Sequence, residues 1–296
     1  MEPVSLIVLL AMGTLAGAIN AAVGSGSLLT LPVLLALGIP PGVAVRTNTI
    51  GILFSTFGSV YGYRREIAEE KGNLGPLMAV TAVCATAGAL LLLASPGAAL
   101  DVIVPILIVF ALVMVIFQKR ITAAIRAGAE RRAARRGGAG SPATDGTDPS
   151  AAVSPGDDLS SAASIASAPT PARSPYRSPA LIGTMGAASI YGGYFTAAQG
   201  ILYLGVLGTF TGRSMKAVNS VKNLMSLIVN LAAASVYLVA HFVLRVEIVW
   251  LATAAIAVGA LVGGYFGAHL AKKMPEWLLR GIIVVVALFA LVRQVL

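Results

Sequence analysis

Apolar runs separated by short polar connections occupy most of this chain. They cover roughly residues 4–22, 26–38, 44–63, 75–94 and 102–118, then 180–192, 194–210, 217–240, 248–270 and 278–295. None shows the period-two alternation of a barrel strand, so each is predicted to be a helix. The first two runs of each half are short against the ~20 residues of a full membrane span. Glycine breaks them at matching places: GTLAGAINAAVGSGSLLTLPVLLALG from Gly13, and GTMGAASIYGGYFTAAQGILYLGVLG from Gly183. Each pair reads as two short spans or as a re-entrant hairpin, entering and leaving on one side. Interrupted helices at corresponding positions of two halves point to a transporter's binding site. Pro32 is expected to set a bend, and Pro105 to sit in the first turn of its helix.

Composition narrows the class. Of 296 residues 57% are hydrophobic and 11% charged, against roughly 25% charged in soluble domains, and the mean hydropathy is +0.87. The expected fold is an all-α polytopic membrane protein of two pseudo-symmetric halves, with Gly-broken short helices at the centre. The expected divisions are a membrane repeat over 1–118, a disordered cytoplasmic linker over 119–178 and a second membrane repeat over 179–296. The linker is rich in Ser, Ala, Pro, Gly and Arg and too poor in apolar residues to order itself; its start is expected either to tether the halves or to extend the preceding helix along anionic lipid. The opening MEPVSLIVLL lacks the basic region of a signal peptide and is read as part of the first run.

Charge sets the expected orientation. The net charge of +9 is concentrated in the linker and at helix ends, which is the pattern of topology signals; the partner it implies is a bilayer and not a nucleic acid. Arg64, Arg65 and Lys71 share a side with the linker, hence the cytoplasmic side. If the second broken pair crosses once, Arg213, Lys216, Lys272 and Lys273 fall outside; if it crosses twice or re-enters, they fall inside. The positive-inside rule favours the latter, which makes the halves inverted repeats with both termini outside.

Candidate chemistry lies on the helix after each break. Asn219, Lys222, Asn223, Ser226 and Asn230 recur at spacings of three and four, as do Thr47, Asn48, Gly51, Ser55 and Ser59. A shift of 175 pairs Asn48 with Asn223. Two such stripes can face one another across a cavity. Lys222 either snorkels to headgroups or meets an anionic ligand, since apolar segments hold almost no carboxylate to pair with it. Arg46 has the same two readings. The breaks add Asn20, Ser25, Tyr191 and Gln199, with Gly24, Gly26, Gly192 and Gly193 freeing the backbone there. The half-helix after each break points its amides and positive dipole end at the break, which suits an anion. The competing reading is that these glycines serve only packing. No nucleophile with its base, cofactor motif or metal cluster is recognisable, and Cys84 stands alone, so no enzyme, cofactor or metal is expected.

At these residues the chain resembles the sulfite exporter TauE/SafE family of membrane permeases. The resemblance rests on GAINAAVGSGSLLTLPVLLALGIPPGVAVRTN in the first half, and on IYGGYFTAAQGILYL and AVNSVKNLMSLIVNLAA in the second. It implies export or uptake of small anions, among them sulfite, sulfonates and other organosulfur compounds, across a bacterial inner membrane. The second half departs from the first: nothing matches Pro32, and Tyr and Gln stand at the break. The expectation is therefore a secondary anion permease working by alternating access, compatible with a homo-oligomer. A channel-like permease for another solute and a membrane subunit of a larger complex remain alternatives.

Overall fold

The computed structural model describes residues 2–22, 24–70, 72, 74–138 and 175–270. Within them lie α1 (Pro3–Ala22), α2 (Ser27–Ala36), α3 (Pro41–Gly62), α4 (Arg64–Glu70), α5 (Gly75–Ala94) and α6 (Gly97–Gly138). A 3-10 turn (Pro175–Arg177) precedes α7 (Pro179–Phe195), α8 (Gln199–Thr211), α9 (Met215–Leu244) and α10 (Trp250–Leu270). Prolines open α3, α5 and α7, where the missing N–H has no partner to lose. No strand occurs among the described residues, and the chain is an all-helical, polytopic membrane protein. By length and composition α1, α5, the Gly97–Gln118 part of α6, and α9 can each cross a bilayer.

Several boundaries differ from expectation. Helix α1 is long enough for a full span, because Gly13 and Gly17 do not interrupt it. They let α10 approach instead: a Cβ on Gly17 would sit 2.4 Å from the Ala260 carbonyl oxygen. The chain breaks only at Gly24, which takes φ +83°. Helix α6 starts at Gly97, so Pro105 lies two turns inside it and not in its first turn. Of the linker expected over 119–178, residues 119–138 continue α6, and Pro175–Arg177 form the 3-10 turn with Tyr176 buried. Residues 139–174, and the last expected helix with Lys272 and Lys273, lie outside the described residues. The seven-residue α4 was not anticipated.

The halves interlock. Helix α10 packs on α1 and α3 of the first half, and α5 packs on α7 and α9 of the second, while α3 and α9 pack on each other. Exchanging α1, α2, α3 and α5 for α7, α8, α9 and α10 leaves this set of neighbours unchanged. Glycines make the two crossings close. Gly13 meets Ile256 and Gly17 meets Ala260 and Gly264; Gly88 meets Ile190 and Tyr194, and Gly186 meets Cys84. The order of these contacts makes α1 parallel to α10 and α5 parallel to α7. Lipid gives little hydrophobic drive between helices, so such close backbone approach supplies the packing energy.

Polar contacts at the ends fix the course of the chain. Arg213 pairs with Glu70 at 3.3 Å and Lys216 with Glu66 at 3.1 Å, so the α8–α9 connection lies at the same end as α4 and Arg64 and Arg65. At the opposite end Arg46 Nε donates to the Glu247 carbonyl at 3.2 Å, joining the start of α3 to the α9–α10 connection. The α7–α8 pair therefore opens and closes at the basic end. The α1–α2 pair opens and closes at the other.

Gly193→Ala should lower the melting temperature of the detergent-solubilised protein. Its Cβ would lie 2.0 Å from the Ala85 carbonyl oxygen, and overpacking of this kind costs about 1–3 kcal/mol. Gly183→Ala, with nothing within 4 Å of its Cβ, should leave the melting temperature unchanged.

Candidate functional site

The two breaks meet in the middle of the molecule. Gly200 N donates to Gly24 O at 3.1 Å, and a Cβ on either glycine would lie within 2.5 Å of the other's Cα. Gly24 is required twice over, by its positive φ and by this contact. Gly26 lets the start of α2 fold back on the Ala16 carbonyl, and Gly192 leaves room for the Gln199 carboxamide. The second break turns without glycine: Thr196 and Ala198 hold φ of 56° and 58°, at a cost of about 1–3 kcal/mol each. Two tyrosines brace it. Tyr191 OH donates to Ala197 O at 2.8 Å, and Tyr237 OH to Gly193 O at 2.9 Å.

Each break touches both long central helices. Asn20 Nδ2 donates to Ser55 Oγ of α3 at 2.7 Å, and the Asn20 carbonyl accepts from Lys222 Nζ of α9 at 3.4 Å. Gln199 Nε2 donates to Asn230 Oδ1 of α9 at 3.3 Å, while Thr196 and Thr49 of α3 place their hydroxyls 3.4 Å apart. Thr30 of α2 donates to Asn48 Oδ1. Helices α2 and α8 both begin at the breaks and run to opposite ends, so their positive dipole ends converge there.

The polar groups left over are mostly donors. Lys222 is fully buried, and no carboxylate pairs with it among the described residues. Asn48 Nδ2, Asn223 Nδ2 and the hydroxyls of Ser25 and Ser226 are buried without a hydrogen-bond partner, as is the acceptor Gln199 Oε1. A buried, unpaired polar group costs about 1–3 kcal/mol, so these are the groups around the breaks with hydrogen-bonding capacity to spare.

The remaining candidates are engaged elsewhere. Arg46 holds the α9–α10 connection, and Thr47 Oγ1 accepts from Val249 N at 3.1 Å, pinning the entry to α10. Asn219 donates to Tyr63 OH at 2.9 Å, nearer the basic end. Tyr191 braces the second break. Gly200 and Tyr237 went unremarked in the sequence. A second small residue after the break was the signal for Gly200; nothing local marks Tyr237. No group of His, Cys, Asp and Glu that could hold a metal occurs among the described residues.

Comparison with known proteins gives the class. A family model described as Sulfite exporter TauE/SafE matches residues 9–293. The chain belongs to the TauE/SafE family. A curated relative, "Probable membrane transporter protein ORF9" from Sinorhizobium sp, is 33% identical over 95 residues. That match covers 32% of this chain and 36% of the relative. No solved structure matches. The chain is thus a polytopic membrane protein of this family, and the breaks with the polar groups around them form its central polar feature.

Lys222→Met should raise the melting temperature of the ligand-free protein by several degrees. It replaces an uncompensated buried cation by an apolar side chain of similar length, an exchange that is often neutral or stabilising. A fall would mean that Lys222 is already compensated in the ligand-free protein.

Proposed function

We propose that the protein is a secondary permease for small anions. The observation that carries this reading is the surplus of buried donors, Lys222, Asn48, Asn223, Ser25 and Ser226, around the contact between the two breaks. An oxyanion would supply several acceptor oxygens and the missing negative charge, and charge-assisted hydrogen bonds are the strong ones. The converging ends of α2 and α8 favour the same charge. A cation would find two orphaned carboxamide oxygens, Gln199 Oε1 at the break and Asn219 Oδ1 nearer the basic end, and no carboxylate beside Lys222 among the described residues. The family description and the sequence resemblance extend the reading to sulfite, sulfonates and other organosulfur compounds.

The mechanism proposed is alternating access between two inverted repeats. Its support is the exchangeable set of helix contacts, together with broken pairs that open at opposite ends. The ligand would sit between the breaks with Lys222 as its counter-charge, Asn48, Asn223, Ser25 and Ser226 as donors, and Gln199 and Asn20 shaping the pocket through Asn230 and Ser55. Rocking of one interlocked half against the other would then expose this site to each end in turn. By the positive-inside rule the end carrying Arg64, Arg65, Arg213 and Lys216 is cytoplasmic, in a bacterial inner membrane.

Proteoliposomes loaded with sulfite should release it through the wild-type protein, whereas Lys222→Met should reduce release to the level of protein-free liposomes while still purifying as a folded species. Wild-type flux in that variant would remove Lys222 from the site.

A further inference from the structure

A polar ladder descends from the basic end to the buried lysine. Arg213, just before α9, is followed at three-residue intervals by Lys216, Asn219 and Lys222. Each rung has a partner in the first half. Arg213 Nη2 pairs with Glu70 Oε2, Lys216 Nζ with Glu66 Oε1, Asn219 Nδ2 donates to Tyr63 OH, and Lys222 Nζ reaches the Asn20 carbonyl. Tyr63, Glu66 and Glu70 are themselves spaced by three and four, so α4 lies lengthwise across the outer rungs.

The cover is tight at the inner face and lightly attached. The Glu70 side chain is 10% exposed, Glu66 21%, and Lys222 is fully buried. Tyr176 is buried beside Glu70 and Arg213, its hydroxyl pushed up to about 12 by burial and by the Glu70 charge. Beneath the cover Asn219 Oδ1 is buried without a partner. Besides Glu70, α4 has one buried side chain, Ile67. Gly62 and Gly72 flank it in open space. The Glu66 carboxyl is held below its ordinary range, first by its own backbone amide and then by Lys216, so it stays ionised at neutral pH. Exposed pairs of this kind are individually weak and separate readily.

We propose that α4 is the gate at the basic end, latched by Glu66–Lys216 and Glu70–Arg213, and that its displacement opens the Arg213–Lys216–Asn219–Lys222 track between the central site and solvent. The inference rests on the permease reading above for what passes along the track. In the closed state the two carboxylates occupy the cations that an anion's oxygens would meet on its way. Opening frees Arg213 and Lys216 for that anion and gives Asn219 Oδ1 access to water.

The test follows access to Asn219. With Cys84→Ala as background, Asn219→Cys is exposed to a membrane-impermeant thiosulfonate in sealed vesicles. Adding Glu66→Gln with Glu70→Gln should speed its modification by about tenfold or more, as an infrequent open state becomes a common one. Arg213→Gln with Lys216→Gln, which breaks the same latch from the other side, should do likewise. In a second variant of the same background, Glu66→Cys and Lys216→Cys bridged by a short reversible bis-thiosulfonate should stop sulfite flux, and reductant should restore it. An unchanged modification rate in both glutamine pairs, or full flux through the bridged protein, would overturn the gate. Absence of sulfite flux in the unmodified protein would count against the permease reading, while the modification rates would still report on α4.

Discussion

The contact between Gly24 and Gly200 is the constraint on which the remainder depends. Inside a bilayer a helix cannot end without exposing polar backbone, and lipid offers nothing to satisfy it. Two chains ending at one place solve this jointly, because each buries the other's break in protein and one amide finds the other's carbonyl at 3.1 Å. That solution demands glycine at both positions, since a side chain on either would collide with the other's backbone. It also brings the starts of α2 and α8 together and holds α3 and α9 against both breaks. The remaining small-residue crossings, α1 on α10 and α5 on α7, keep the interlocked halves close enough for the contact to exist.

From this junction follows a site with more donors than acceptors. The hydrogen bonds that can be made internally are made: Asn20 to Ser55, Thr30 to Asn48, Gln199 to Asn230. What is left is an ammonium with a single long contact to a carbonyl, two carboxamide nitrogens and two hydroxyls, against two carboxamide oxygens, Gln199 Oε1 and Asn219 Oδ1. Burial makes each of these worth more to a complementary ligand than it would be at a surface, because the dielectric is low and water is excluded. The same low dielectric makes them costly when empty. In the proposed permease the ligand would lower the energy of that otherwise costly state and would still have to leave it.

The apolar helices and the first break were legible because both are local: a run of apolar residues or a GSG sequence carries its meaning in itself. Gly192 and Gly193 were expected to free the backbone but lie inside α7, where they serve packing, and the second break falls just after them at Thr196–Ala198. The polar stripe on α9 was equally legible, because spacings of three and four fix a helical face. Partner choice was not. Arg46, Thr47 and Asn219 each bond a group more than 150 residues away that no local spacing reveals; Thr47 and Val249 are 202 residues apart. Gly13 and Gly17 were read with the break because glycine in a membrane helix signals either interruption or close packing, and only the facing α10 decides which. Helix α4 escaped notice because RREIAEE has no apolar run and depends on cations some 150 residues away.

The central claim is that the donors around the junction hold an oxyanion. Thermal stabilisation of the detergent-solubilised protein by sulfite, sulfate, thiosulfate, taurine, sulfoacetate and simple carboxylates tests it most directly, with Lys222→Met measured in parallel. A ligand that binds only the folded protein must raise the melting temperature once its concentration well exceeds its dissociation constant. The account predicts a concentration-dependent rise for at least one oxyanion in the wild type and none for that anion in the variant. An equal rise in both proteins, or no rise with any anion, would contradict it.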